Sequence, residues 1–581
     1  MSHGREFVGS QIMTGTAQTV VLALDGLSFR YLDAFDLPNL DAIRSRGIEA
    51  PLRSTHPPWT ASAWPSMFTG MGPSNHGVFS FFDFRDCYPD EAPVVSREHV
   101  RAPALWEYLS SVGRSVVVLN MPVTHPAGRI EGALVPGYLA LEDSPGTPEG
   151  IRAEISETLG EPYRIYADTE LSDDGEAKLA GYVDLIDLRR RAAEYLLGTY
   201  EPDLAIVQVQ KTDAVFHNFS ERTAFEQVYR AADELVGSVL GVADDDANVI
   251  ICSDHGMSPN TGYVVHVNQV LADHGLVETT TEGGSPSLGE QKRRWVSGEP
   301  AANAGEPDAN GDEIPETGVG GVRTGVASRV IVGAEQAFST VGVSPGDVFT
   351  AARRVGLDGT LQRLLPEGTS LGERVDWTNS TAYCRIGSEL GVRINLAGRE
   401  PEGVVPRADY ETVRDEVIEV LRTLNTPDGE PAFEFVRPRE QVYDGPYTEH
   451  APDVIFRPAG MNHGIVANLV GRRFIPETGH NHDLDGVFVG TGPGFSGAGV
   501  EELALPDVAP MVMALLGQEV PARMTGTVPE DVLNVPVRRR EYGDVSFGVG
   551  PEGPESHGRP ESETRPDEGR VRERLEDLGY R

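Results

Sequence analysis

Lysine is almost absent from this chain. Only Lys178, Lys211 and Lys292 occur among 49 basic residues, and the rest are arginine. Against them stand 89 acidic residues, which leaves a net charge of −40 over 581 residues. A surplus of that size repels polyanions, so it argues against a nucleic-acid polymer or an anionic membrane surface as the main partner. Acid excess with scarce lysine resembles the proteins of organisms that keep molar salt in their cells, and a halophilic origin is the expectation. In molar salt the Debye length falls to about 3 Å, which screens the chain's self-repulsion. Cysteine is equally rare. Cys87, Cys252 and Cys384 are too few and too scattered for a disulfide framework or a thiolate zinc site. No run approaches the roughly 18 apolar residues of a membrane helix. The opening MSHGREFVGSQIMTGTAQ lacks the apolar stretch of a signal peptide. These absences predict a soluble, cytoplasmic protein.

What is present is enough apolar residue, 39%, to build a sizeable core, with Gly 65 and Pro 42 marking a loop-rich chain. Short apolar runs alternate with helical patterns, the pattern of a mostly parallel sheet covered by helices. Candidate buried strands are Val20–Leu24, Val116–Asn120, Leu204–Gln208, Val249–Cys252, Val454–Phe456 and Val487–Val489. Helical stretches include Leu185–Thr199 and Ala224–Leu240. The expected organisation is a flexible leader over residues 1–18, a catalytic domain over 19–535 and a polar, Arg/Glu-rich tail over 536–581. Candidate insertions lie at about 141–181 and 279–365.

Four separated segments carry residues that bind metals. Asp25 closes the first strand, where open α/β sheets bind ligands. Asp213 and His217 follow LAIVQVQ, and a helical turn there would bring them onto one face. Asp254, His255 and Gly256 follow VIICS, and His480, Asn481, His482 and Asp483 lead into VFVG. Taken singly, each also fits a cap, a surface pair or a polar loop. As a set they offer carboxylates and imidazoles without thiolate, which suits Zn²⁺ or Mn²⁺. Two such ions about 4 Å apart make a phosphoryl-transfer centre.

A nucleophile is then required, and the block Ser54-Thr55-His56-Pro57-Pro58-Trp59-Thr60 through Phe68-Thr69-Gly70, followed by His76-Gly77, contains one. With this block the sequence resembles the alkaline phosphatase superfamily, in its type I phosphodiesterase/nucleotide pyrophosphatase branch. The motifs are LALDG around Asp25, Thr60 with Phe68-Thr69-Gly70 and His76-Gly77, Asp213 with His217, Asp254-His255-Gly256, and His482 four residues before Gly486. They run in family order from Val20 to about Leu516. The resemblance implies an alkaline-phosphatase-like α/β core with cap insertions and two divalent metals. It assigns Thr60 as nucleophile, one metal to Asp25, Thr60, Asp254 and His255, and the other to Asp213, His217 and His482. A free threonine hydroxyl is a poor nucleophile, and metal coordination is what makes it usable near neutrality. His480 competes with His482 for the last ligand position, and the spacing to Gly486 favours His482.

The resemblance also implies a reaction: hydrolysis of a small phosphorylated substrate, a nucleotide or another phosphodiester, through a phospho-threonine. One departure stands out. Nucleotide pyrophosphatases carry an Asn shortly after the His-Gly pair that donates to the phosphoryl oxygen, whereas this chain reads Val78-Phe79-Ser80-Phe81. Losing such a donor costs roughly 3 kcal/mol of transition-state stabilisation. Lys211, two residues before Asp213, is a candidate replacement; its other reading is an exposed lysine. A phosphomonoesterase or a headgroup phosphotransferase of the same superfamily remains open. A sulfatase lacks support, because no Cys/Ser-x-Pro-x-Arg motif occurs in the nucleophile block. A catalytically silent binding relative would have eroded ligands, and all seven positions hold suitable residues.

Overall fold

The runs VVLAL, VVVL, LAIV and NVIIC become interior strands, because β-branched and aliphatic side chains buried on both faces favour the middle of a parallel sheet. In the computed structural model, which describes residues 17–89, 92–280, 374–529 and 531–545, they belong to one eight-stranded sheet. Its first six strands in the chain are β1 (Thr19–Leu24), β2 (Ile48–Arg53), β3 (Val116–Leu119), β4 (Gly132–Val135), β5 (Leu204–Val209) and β6 (Asn248–Cys252). The order across the sheet is Leu503–Ala504, β2, Asp485–Thr491, β6, β1, β5, β3, β4. β6, β1, β5, β3 and β4 are parallel neighbours. Only the strand Asp485–Thr491 runs against the rest, pairing antiparallel with both β2 and β6.

Helices flank this sheet. The helix Gly175–Tyr200 packs along β3, β4 and β5 and against the helix Arg222–Val242. Another group consists of the helices Thr60–Thr69, Leu105–Ser111 and Val508–Leu515. The expected helix Leu185–Thr199 is thus longer at its N-terminal end, where Asp174 caps it by accepting from the backbone N–H groups of Glu176 and Ala177. Apolar periodicity could not locate that start, since the first two turns are largely polar.

Val454–Phe456 is a strand, but not of the central sheet. Val454–Pro458 lies in a separate four-stranded sheet with Ala382–Tyr383, Gly391–Ile394 and Phe433–Pro438, antiparallel throughout. A short apolar run reads the same in either setting. The helix Tyr410–Arg422 packs on this smaller sheet through Val417, Ile418 and Leu421, in a core of its own.

The region 141–181 holds the helix Ile151–Leu159, and its Ile151, Ile155, Tyr163, Ile165 and Tyr166 are buried in the main core. Of 279–365, only Thr279–Thr280 is described, paired with Arg374–Val375; the remainder lies outside the described residues. The leader up to residue 16 and the tail from 546 also lie outside them. Gln18 is docked, donating to the Pro202 carbonyl and accepting from the Asp244 N–H. The first residues of the expected tail pack as well: Arg539–Arg540 pairs with Val520–Pro521, and Tyr542 meets Tyr108 edge-on. Among the described residues no helix is long and apolar enough to cross a membrane.

Candidate active site

The carboxyl ends of β1, β5 and β6 adjoin, and the residues that follow them carry Asp25, Asp213, Asp254 and His255. The strand Gly479–Asp483 supplies His482 by pairing with Gly256–Asn260, His482 opposite Met257. This hairpin-like approach needs Gly256, because a Cβ there would lie 2.2 Å from the Asp485 carbonyl oxygen. The result is a stack of the His255 and His482 rings with centroids 3.6 Å apart.

All seven sequence-assigned residues come together. Thr60 is the first residue of its helix, and its Oγ1 lies 3.5 Å from Asp25 Oδ1. His255 Nε2 is 3.5 Å from Asp25 Oδ1 and 3.4 Å from Asp254 Oδ2. On the other side, His217 Nε2 is 3.2 Å from Asp213 Oδ1 and 3.2 Å from His482 Nε2, and His482 Nε2 is 3.5 Å from Asp213 Oδ1. Asp25, Asp254 and His255 form one group able to hold a cation; Asp213, His255 and His482 form a second, so His255 sits between them. His217 completes the Asp213/His482 side at the distances just given.

The electrostatics fit a divalent-cation centre. Asp25, Asp213, Asp254, His255 and His482 are fully buried. Burial, then the neighbouring Asp254 and Asp213, push the Asp25 carboxyl well above its usual range. Burial and Asp213 do the same to Asp254. Burial also pushes Asp213 upward, but the imidazoles, His217 foremost, outweigh it and hold that carboxyl low. Three carboxylates in one dry cluster are costly unless cations share the site. Asp254 Oδ2 and His255 Nε2 are buried atoms that make no hydrogen bond. The imidazoles are set up as ligands too. The His482 Nδ1–H donates to the Pro58 carbonyl at 2.8 Å, and the His255 Nδ1–H donates to the Gly256 carbonyl at 3.0 Å. Each Nε2 is left with a lone pair facing the carboxylates.

Several neighbours were not foreseen from the sequence. Trp64 Nε1 and Gln208 Nε2 both donate to Asp25 Oδ2 at 2.9 Å, which leaves Oδ1 directed at Thr60. The Thr212 hydroxyl donates to the Asp25 carbonyl at 2.7 Å, and the Trp59 ring lies 4.4 Å from His482. Gln208 left a signal, a polar residue within an otherwise apolar strand. Trp64 left one as well, standing one helical turn after Thr60.

Two sequence candidates are placed differently. Lys211 is buried, not exposed. Its ammonium donates to Glu170 Oε1 at 2.5 Å and to Gln210 Oε1 at 3.1 Å, and it lies 4.7 Å from the Tyr182 ring centre. The exposed reading is thereby corrected, and the ammonium is paired with a buried carboxylate. His480 packs among Tyr31, Phe216 and Phe225, beside the cluster.

With this geometry in view, the comparisons with known proteins are decisive at the level of family. The type I phosphodiesterase/nucleotide pyrophosphatase family model matches residues 19–320, just over half of the chain, and the protein belongs to that family. It is thereby a phosphoryl hydrolase, a class that cleaves phosphoester bonds. Among solved structures, phosphonoacetate hydrolase from Sinorhizobium meliloti 1021, in complex with phosphonoacetate, superposes with a TM-score of 0.51 at 15% identity, covering 86% of this chain and 96% of its own. Human ectonucleotide pyrophosphatase/phosphodiesterase 5 matches with a TM-score of 0.43 at 14% identity, covering 89% of this chain and 100% of its own. The first likeness supports the alkaline-phosphatase-like fold. No match is found among the curated proteins.

Proposed function

We propose that this protein is a two-metal phosphodiesterase or pyrophosphatase that works through a phospho-threonine at Thr60. The observation that carries the reading is the convergence of Asp25, Thr60, Asp213, His217, Asp254, His255 and His482, from five stretches of chain, on one buried cluster. Asp25, Asp254, His255 and the Thr60 hydroxyl would hold one cation. Asp213, His217 and His482 would hold the other, and zinc or manganese suits the donor set. Bound there, such cations lower the pKa of a coordinated hydroxyl and neutralise charge developing on phosphoryl oxygens.

The chain's own groups do the remainder. Trp64 and Gln208 fix the Asp25 carboxylate, so its free oxygen stays beside the Thr60 hydroxyl. Thr60 begins a ten-residue helix, whose N-terminal end favours negative charge on its oxygen. Attack by that oxygen on phosphorus forms the phospho-threonine and expels the leaving alcohol or phosphate. Water then cleaves the ester and restores Thr60. The substrate is a small phosphorylated molecule, with diesters or anhydrides preferred over monoesters.

Hydrolysis of bis(p-nitrophenyl) phosphate and p-nitrophenyl phosphate, in molar KCl with Zn²⁺ or Mn²⁺, tests this. Diester cleavage that vanishes in Thr60→Ala and with chelator is the expected result. Monoester preference would move the protein to the phosphatase side, and cleavage that survives Thr60→Ala would remove the covalent step.

A further inference from the structure

The carboxyl edge of the central sheet does not end at the metal-ligand cluster. It continues past β5 to β3 and β4, where the chain turns at Asn120 and at Gly137-Tyr138. These two turns are pressed together. A Cβ on Gly137 would fall 1.7 Å from the Asn120 carbonyl oxygen, and the Val123 N–H donates to the Tyr138 carbonyl at 3.2 Å. Tyr138 is thereby fixed on the same edge as Asp213 and Asp25, with its ring edge-on to Tyr166.

Its hydroxyl is anomalous. Tyr138 is 4% exposed, yet its O–H makes no hydrogen bond. Gln210, which directly follows β5 and precedes the helix of Asp213 and His217, shows the same anomaly. It is 3% exposed, its Oε1 accepts from Lys211, and its Nε2 has no partner. A buried donor without an acceptor costs stability, and these two stand on the sheet edge that also carries Asp25 and Asp213. Burial, then Tyr166, Asp213, Glu170 and Asp25, raise the phenol well above its ordinary pKa. It is therefore a neutral donor at any working pH, and it feels the carboxylates of the candidate active site. The stretch where the family carries its phosphoryl-binding Asn offers no amide here: Ser80 faces Ser388 at 3.3 Å, and Phe79 and Phe81 are buried.

We propose that the Tyr138 hydroxyl and the Gln210 side-chain amide are substrate-binding donors, which bond to an oxygen of the phosphoester held at Thr60. The inference rests on the phosphoester reading of the site and assigns it two binding residues. In that role the unused donors of the ligand-free protein find their acceptor on the substrate, either a non-bridging phosphoryl oxygen or an oxygen of the leaving group.

The test uses Tyr138→Phe and Gln210→Met, each in the full chain, and each again with Thr60→Ala so that ligand is bound without turnover. Three quantities are read in metal-loaded protein: kcat/KM on bis(p-nitrophenyl) phosphate, calorimetric affinity for that diester and for inorganic phosphate, and the melting temperature without ligand. Tyr138→Phe removes an unpartnered hydroxyl, so its melting temperature should hold or rise. Its kcat/KM should fall by about 10²-fold, the usual effect of losing one preorganised donor. In the Thr60→Ala background its diester affinity should weaken by about tenfold, the effect of one hydrogen bond. Weakening shared by inorganic phosphate places the bond on the phosphoryl group; weakening confined to the diester places it on the leaving group. Unchanged affinity for both ligands in both variants would overturn the assignment. So would a loss of affinity matched by a loss of melting temperature, or no binding of either ligand. Absence of turnover by the unmutated protein would count against the phosphoester reading alone, because the affinities still report on the two donors.

Discussion

Asp25 illustrates how much one carboxylate depends on side chains far from it in sequence. Its Oδ2 accepts from Trp64 and from Gln208, and only Oδ1 is left beside Thr60 and His255. Trp64→Phe keeps an aromatic ring in this fully buried position and removes one of these two donors, leaving a small cavity. Outer partners of this kind typically tune metal affinity by 10–100-fold, so metal titration of the variant should show weakening of about that size, beside a modest fall in melting temperature from the smaller side chain. Unaltered affinity would mean that Gln208 alone fixes the carboxylate. The proposed ligands were legible only as a set in family order, since each alone also fits a cap, a surface pair or a polar loop. Trp64 and Gln208 left only faint signals, and Tyr138 and Gln210 left none, since their proposed roles come from contacts across the fold or from contacts that are missing. A missing hydrogen bond leaves no trace in a sequence.

Among the elements, β1, β5 and β6 could be read within a residue or two, because a strand buried on both faces announces itself by an unbroken apolar run. Val454–Pro458 showed the limit of that rule, its sheet being set by partners and not by composition. The element most sensitive to substitution is the pairing of Gly256–Asn260 with Gly479–Asp483. Gly256→Ala would set a methyl 2.2 Å from the Asp485 carbonyl oxygen and push the strand that carries His482 away from His255. Destabilisation of about 1–3 kcal/mol, as for overpacking, and a larger loss of activity are expected from chemical denaturation and diester assays. The helix Thr60–Thr69 is tied to a buried histidine. His76 Nδ1 accepts from the Val78 N–H, and its Nε2–H meets the Ser66 hydroxyl on that helix at 2.8 Å. Burial pushes His76 down to about 3, and burial with Arg457 does the same to His56. Both stay neutral in the folded protein while the unfolded chain takes up protons below about pH 6.5. Stability therefore falls as pH drops from about 6.5 towards 3, by up to about 1.4 kcal/mol per pH unit for each histidine. Above that window they contribute no slope. Urea unfolding at pH 7.5 and pH 5 should show the drop, and a His56→Gln, His76→Gln variant should lessen it.

On the scale of the whole molecule the −40 charge dominates. Even if each of the 49 lysines and arginines met one acid, 40 of the 89 acids would be left over. Repulsion among the remainder is screened only when the Debye length shrinks towards about 3 Å. The melting temperature should accordingly climb as KCl is raised from 0.1 M to 2 M; a flat profile would show that the acids are already accommodated by the fold.

The antiparallel strand Asp485–Thr491 has a consequence of another kind. Among the described strands it alone joins β2 to β6, so without it the sheet falls into two pieces, with β2 and Leu503–Ala504 on one side and the five parallel strands on the other. The same stretch of chain delivers His482. During synthesis from the N-terminus, then, the proposed nucleophile Thr60 is made long before His482 and the strand that closes the sheet. Under the proposed mechanism a growing chain would carry Thr60 without the centre that activates it, and hydrolytic competence would arrive together with the closure of the sheet.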